Sequence, residues 1–306
     1  MARGGHRPGA GRPSGTGRYG EPTVSRRIPL SLVGEVDALL RAAKPQPITQ
    51  EPLPPEAVRV PESGQVHLMP KCEAASALQA LHEADVTARA VVMDPWYRAK
   101  SGQGRSAYLA EMVPLLELAA RVGQHLFIWG FPEHVSRLVD HWPSRLQMRG
   151  WITWWFKNAA SRSKGWRPSQ QVCLHLSRRG APIYPEHFYT ERHQEAAKGN
   201  RLEYKMTPFS VIEAPLLSGF IDRSQQTGYP AQKPRKVIEP LLRMTCKPGD
   251  IVVDPTCGSG TTGEVAAAMG CRAILSDRRG DALRVTRDRL AKSGFLATAP
   301  SSFDGA

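Results

Sequence analysis

Ile251-Val252-Val253-Asp254-Pro255-Thr256-Cys257-Gly258-Ser259-Gly260-Thr261-Thr262 is an apolar run that ends in an acidic residue, turns through glycines and opens into an alanine-rich segment. This is the layout of a nucleotide-type ligand site at the carboxyl end of a parallel strand. Small residues let the backbone approach a ligand, and the free N–H groups of the new helix face it. A phosphate-binding loop needs a lysine at the end of the turn, where Thr261 and Thr262 stand instead.

Outward from this stretch, strand and helix patterns alternate. Strands are expected at 65–69, 88–93, 125–129, 151–156, 171–176 and 272–276, with 65–69 at an edge of the sheet. Helices are expected at 74–84, 108–122 with a kink at Pro114, 132–142 and 234–246, with a long basic one at the end. Such alternation predicts an α/β fold, an open and mostly parallel sheet with helices on both faces. Residues 65–292 would form this domain, with an irregular stretch at 180–228. Ahead of it come a Gly/Arg/Pro-rich basic arm (1–23), a short strand and amphipathic helix (24–44) and a Pro-rich linker (45–64). The strand and helix weakly resemble half of a ribbon-helix-helix DNA binder, and a plain docking helix fits equally well. Residues 293–306 read as a flexible tail.

The 306 residues include 41 Lys and Arg against 28 Asp and Glu, a net charge of +13. An excess of that size points to a polyanionic partner, nucleic acid first. Cys72, Cys173, Cys246, Cys257 and Cys271 are scattered with no C-x-x-C pair, so neither a metal site nor a disulfide framework is expected. No signal peptide or membrane-spanning run is evident, and the expected location is the cytoplasm.

A second stretch, Asp94-Pro95-Trp96-Tyr97, closes the 88–93 strand. Asp94 and the Pro95 carbonyl can accept the two N–H bonds of a planar amine, leaving its lone pair free to attack. Tyr97 can stack on the ring that carries the amine. The tetrapeptide alone also suits a type I turn with buried aromatics.

Asp-Pro-Trp-Tyr resembles the Asp-Pro-Pro-Tyr signature of the β group of DNA amino-methyltransferases. His67-Leu68-Met69-Pro70-Lys71-Cys72 is similar to that family's entry segment, and Gly228-Tyr229-Pro230-Ala231-Gln232-Lys233-Pro234 to its segment ending Gln-Lys-Pro. The glycine turn resembles its S-adenosylmethionine loop, and the order, with Asp94 leading Asp254 by 160 residues, matches the permuted group. The resemblance covers residues 65–292 and implies a Rossmann-like methyltransferase fold, S-adenosylmethionine as cofactor and no metal. It assigns Asp94, Pro95, Trp96 and Tyr97 to catalysis. Asp254, Pro255, Thr256, Cys257, Gly258, Ser259, Gly260 and Thr261 would line the cofactor, Asp277 would take its ribose, and Lys233 and Pro234 would close over it. Trp96 replaces the usual proline and Thr256 the usual phenylalanine.

Arg145, Arg149, Lys157, Arg162, Lys164, Trp166, Arg167, Arg178 and Arg179 lie among tryptophans, a pattern suited to phosphate contact plus base stacking. Trp151 and Trp155 read better as the core face of a strand. The family places target recognition in the region matching 180–228. The resemblance implies DNA as partner, with the target base flipped out, and leaves a homodimer open. Adenine N6 is the expected acceptor, because Asp at the first catalytic position suits adenine in that family. Cytosine N4, RNA adenine and a silent nucleic-acid-binding subunit are the alternatives. The chain would be the modification half of a restriction system, a phage or plasmid enzyme, or a solitary methylase.

Overall fold

The computed structural model describes residues 29, 32, 35, 36, 53–95, 105–159, 165–199, 201 and 206–299. The basic arm and nearly all of the 24–44 strand and helix lie outside the described residues, as do Trp96, Tyr97, Arg162 and Lys164.

The first half of the domain contains β1 (Val66–Leu68), α1 (Ala74–Glu83), β2 (Ala88–Met93), α2 (Arg105–Val122), β3 (Gly123–Gly130) and the single turn α3 (Pro132–Val135). The next part contains β4 (Leu146–Trp155), β5 (Gln170–Arg178), α4 (Glu191–Lys198) and β6 (Val211–Glu213). The last part contains α5 (Arg235–Thr245), β7 (Ile251–Asp254), α6 (Thr261–Ala268), β8 (Arg272–Leu275), α7 (Gly280–Lys292) and β9 (Ala297–Thr298).

These strands form one sheet in the order β6-β4-β5-β3-β2-β7-β8-β1-β9. Only β5 runs against the rest, antiparallel to both β3 and β4. Side chains alternate across it: Val91 and Met93 of β2 join α1 and α2 in one core, while Ala90 and Val92 join α5, α6 and α7 in the other. Burial on both faces explains why β2 and β7 read as nearly unbroken apolar runs.

The topology makes the site. β2 and β7 are parallel neighbours, with Ala90 beside Val252 and Val91 beside Val253. The chain leaves β2 through α2 toward β3, and leaves β7 through α6 toward β8, on opposite sides of the pair. Diverging connections open a crevice beyond the carboxyl ends of such strands. Asp94 and Asp254 stand at its two lips.

Several expectations are corrected. β1 is not an edge strand but lies between β8 and β9, because residues 297–298 of the expected tail pair with it. His67 Nδ1 and Thr298 Oγ1 meet at 3.2 Å, and the Val66 N–H donates to the Leu296 carbonyl. The linker ends earlier than 64. Leu53 and Val58 pack on the core, Ala57 is buried, and the Ala57 carbonyl meets His67 Nε2 at 3.0 Å. The helix expected over 132–142 stops after α3 and a short 3-10 turn, where Asp140 takes a left-handed φ of 67°. Residues 180–228 are not wholly irregular: they contain α4 and β6, and β6 extends the sheet beyond β4. In β4 the fully buried tryptophan is Trp154, whose indole N–H donates to the Ala214 carbonyl at 2.7 Å. Trp151 is half-buried and packs against the core as expected, whereas Trp155 is exposed and is not the core residue expected.

Candidate active site

Asp254 ends β7 with its carboxylate buried. Its Oδ1 accepts the Thr256 N–H at 3.0 Å and the Thr256 hydroxyl at 3.2 Å. Burial pushes this carboxyl up to about 7, and the nearby Asp94 charge pushes the same way against the hydrogen bonds from Thr262 and Thr256. Among the described residues Asp254 forms no ion pair, so a positively charged ligand atom would complete its surroundings.

The turn that follows needs its glycines. Gly258 and Gly260 have φ of +52° and +76°, a region that other residues rarely enter. A Cβ on Gly260 would lie 2.6 Å from the Thr286 side chain, and one on Gly263 would lie 2.5 Å from Leu275. Gly258, Gly260 and Gly263 have the G-x-G-x-x-G spacing found in dinucleotide-binding folds, with the third glycine serving close packing of helix on strand. The loop by itself therefore marks a nucleoside-type ligand and not one particular cofactor.

Asp277, two residues beyond β8, accepts the Gly258 N–H on Oδ2 and the Arg279 N–H on Oδ1, both at 2.9 Å. Each oxygen keeps a lone pair for a ribose hydroxyl. Tyr229 lies over the turn, 3.3 Å from where a Gly258 Cβ would stand, with the Arg279 guanidinium 5.8 Å from its ring. Burial, then the charge of Asp277, pushes the Tyr229 hydroxyl up to about 12.

The side chains of Cys257, Ser259 and Thr261, expected to line the cofactor, bond into the protein instead. Cys257 Sγ meets the Thr286 hydroxyl, and Arg289 donates to the Thr261 hydroxyl at 2.8 Å and to the Ser259 hydroxyl at 3.5 Å. Thr261 in turn donates to the Lys233 carbonyl at 2.8 Å. Arg289 and Glu264, an ion pair with each side chain about 5% exposed, lock α7 against the start of α6 from behind the loop. Sequence reading missed both, although Arg289 is an arginine on the apolar stripe of a helix.

Thr256 joins the two lips. Its hydroxyl accepts the backbone N–H of Asp94 at 2.8 Å while it donates to Asp254. Lys233, expected to close over the cofactor, is buried and forms an ion pair with Asp94 Oδ2. It also donates to Gln171 Oε1 at 3.0 Å and lies 5.2 and 5.9 Å from the rings of Trp129 and Trp154. Pro234 caps α5, and Gln232 holds the preceding turn through Thr227 and the Gln225 carbonyl. Gln171, Trp129 and Tyr229 were not singled out from sequence, because their proximity to Asp94 and Gly258 depends on strand order.

The basic residues divide between the two ends of the sheet. Lys157 follows β4 at the crevice end, 4.6 Å from the exposed Trp155 ring, and Trp166 and Arg167 are exposed on the connection leading to β5. Arg145 precedes β4 at the opposite end and pairs with Glu117 at 2.8 Å. Arg178 ends β5 there too, donating to the carbonyls of Ala120 and Arg121 at the close of α2, and exposed Arg179 follows it. Arg149 sits in a bulge of β4 and donates to the Ala181 carbonyl. Gln171 and Arg178 are seven residues apart on one strand, about 23 Å at ~3.3 Å per residue. Arg145, Arg178 and Arg179 therefore stand at the end of the sheet away from Asp94.

An α/β sheet with a glycine-rich turn and two carboxylates at the ends of adjacent parallel strands has the layout of a nucleoside-type ligand site. The chain belongs to the N6/N4 DNA methylase family, which its sequence matches over residues 88–287. It is 42% identical over 62 residues to the type II methyltransferase M2.DpnII of Streptococcus pneumoniae, a stretch covering 20% of this chain and 23% of that enzyme. It is 38% identical over 64 residues to M2.LlaDCHI of Lactococcus lactis subsp. cremoris, covering 21% and 24%. The chain thus spans about a quarter of the length of these curated relatives. The fold is similar to that of M1.HpyAVI in complex with SAM, with a TM-score of 0.55 at 16% identity over 74% of this chain and 99% of that one. It is also similar to the cytosine-N4-specific PvuII DNA methyltransferase, at a TM-score of 0.53 and 11% identity over 78% and 98%.

Proposed function

We propose that this chain is an S-adenosylmethionine-dependent DNA methyltransferase acting on an exocyclic base amine, adenine N6 in a short recognition sequence. The observation that carries this reading is the bridge from Asp94 through Thr256 to Asp254, which couples an amine acceptor to a buried carboxylate with no ion-pair partner among the described residues. S-adenosylmethionine supplies an electrophilic methyl on a sulfonium sulfur together with an ammonium and a ribose. Asp254 suits the ammonium, Asp277 the ribose hydroxyls, and the Gly258–Gly260 turn a close backbone approach.

Asp94 accepts one N–H of the target amine and the Pro95 carbonyl the other, which turns the nitrogen lone pair outward. Tyr97 stacks on the base, and Trp96 shapes the base pocket. Holding the amine in line contributes most of the acceleration, since pre-orientation alone is worth up to about 7–11 kcal/mol. A base stacked in a duplex cannot enter a crevice at strand ends, so the target is flipped out. Lys157, Trp166 and Arg167 border that crevice and contact the DNA backbone and displaced bases.

Adenine over cytosine rests on Asp at the first position of the catalytic tetrapeptide. The experiment is transfer of labelled methyl to unmethylated genomic DNA, followed by digestion to nucleosides. The expected product is N6-methyladenine. N4-methylcytosine would reassign the base, and no transfer by protein that binds cofactor would leave a silent nucleic-acid-binding subunit.

A further inference from the structure

We propose that Lys233 is the positioning residue of Asp94, acting through that carboxylate and not as a ligand of the cofactor. The inference rests on the assignment of Asp94 as amine acceptor. Lys233 Nζ has only 6% of its side chain exposed, and an ammonium buried without partners costs several kcal/mol. Its partners are all on the catalytic side: Asp94 Oδ2, Gln171 Oε1 at 3.0 Å, and the faces of the buried Trp129 and Trp154.

The backbone that carries Lys233 is anchored on both sides. Thr261, the first residue of α6, donates to the Lys233 carbonyl at 2.8 Å. The preceding Gln232 side chain accepts the Thr227 N–H and donates to the Gln225 carbonyl, and Pro234 fixes the entry to α5. A lysine held this way fixes Oδ2 of a carboxylate that is itself one-third exposed. Oδ1 is then presented to the amine in a single orientation, while Thr256 fixes the Asp94 backbone. A misplacement of about 1 Å at a reacting group can cost about 100-fold in rate, so loss of this restraint is a kcat effect.

The test uses the full chain with unmethylated genomic DNA, and reads cofactor binding separately by titration with S-adenosylhomocysteine. Lys233→Gln is expected to bind S-adenosylhomocysteine within about threefold of wild type and to lose about 100-fold in kcat at saturating cofactor. Asp94→Asn with Lys233→Gln, which leaves no buried charge unpaired, is expected to be no slower than Asp94→Asn alone. A rise of more than tenfold in the S-adenosylhomocysteine Kd, with kcat restored at saturation, would overturn the proposal and return Lys233 to the cofactor. A double variant slower than Asp94→Asn by the full Lys233→Gln factor would also overturn it, as would wild-type kcat in Lys233→Gln. Absence of transfer by wild-type protein is a different result, since it removes the functional reading itself.

Discussion

The backbone N–H of Asp94 donates to the hydroxyl of Thr256 at 2.8 Å, and the same hydroxyl donates to Asp254 at 3.2 Å. One small side chain thus holds the two lips of the crevice in register. An aromatic residue at this position could line a pocket but could not make either bond. The threonine substitutes a polar stitch for an apolar wall.

Thr256→Val keeps the shape and removes the hydroxyl, leaving the Asp94 N–H without its acceptor. Stability should fall by about 1–3 kcal/mol, and methyl transfer should fall more than cofactor binding. Thr256→Ser should retain both. Urea unfolding beside labelled-methyl transfer measures the two effects.

Burial raises the Asp254 carboxyl from an ordinary value of 3.8 to about 7. Only the ionised form attracts an ammonium, so S-adenosylhomocysteine affinity should weaken as pH falls below about 7, by up to about tenfold per unit. Asp254→Asn should bind weakly at every pH and lose this slope. The raised value also makes ionised Asp254 a burden on the fold above pH 7, so the same variant should melt higher at pH 8. Calorimetric titration at pH 5.5 and 8 and melting curves at both decide it.

His125 of β3 and His175 of β5 meet at 3.0 Å, both buried, and His125 Nε2 faces the Pro182 carbonyl at 2.9 Å. Burial depresses both, to about 4 for His125 and about 3 for His175, with the charge of Arg149 adding to each. Unfolding lets both return toward 6.5, so the unfolded chain binds more protons between these values. Their contribution is full above pH 6.5 and is lost as pH falls toward about 4. His175→Gln should flatten that part of the stability profile, measured by denaturant unfolding from pH 7 to pH 4.

Strand order places Lys157 and Arg167 at the crevice end and Arg145 and Arg178 at the other. Lys157→Ala and Arg167→Ala should each weaken binding to unmethylated DNA and reduce the slope of log affinity against log salt by about 1. Arg145→Ala should change neither. Arg178→Ala should lower stability by releasing the last turn of α2. Fluorescence anisotropy across a salt series separates these outcomes.

Local pattern carried a large part of the fold into the sequence. β2 and the Asp254 to Thr262 turn could be read because apolar runs, glycines and a strand-ending acid are each encoded within a few residues. The residues that escaped depend on which strands are neighbours. Nothing near Lys233 in sequence indicates Asp94, 139 positions away, and β5 must reverse before Gln171 can reach either. Positions 145 and 157 are likewise close in sequence, yet β4 separates them by its length. The expected tail was misjudged because a two-residue strand leaves almost no periodicity, while its pairing with β1 is fixed by distant residues.

The most direct measurement is labelled-methyl transfer by wild-type and Asp94→Ala proteins on the same unmethylated DNA, with S-adenosylhomocysteine binding and DNA binding measured in parallel. The predicted result is N6-methyladenine formed by the wild type, transfer reduced at least 100-fold in Asp94→Ala, and both binding constants within about threefold. Undiminished transfer by Asp94→Ala, or none by a wild-type protein that binds cofactor and DNA, would contradict the account.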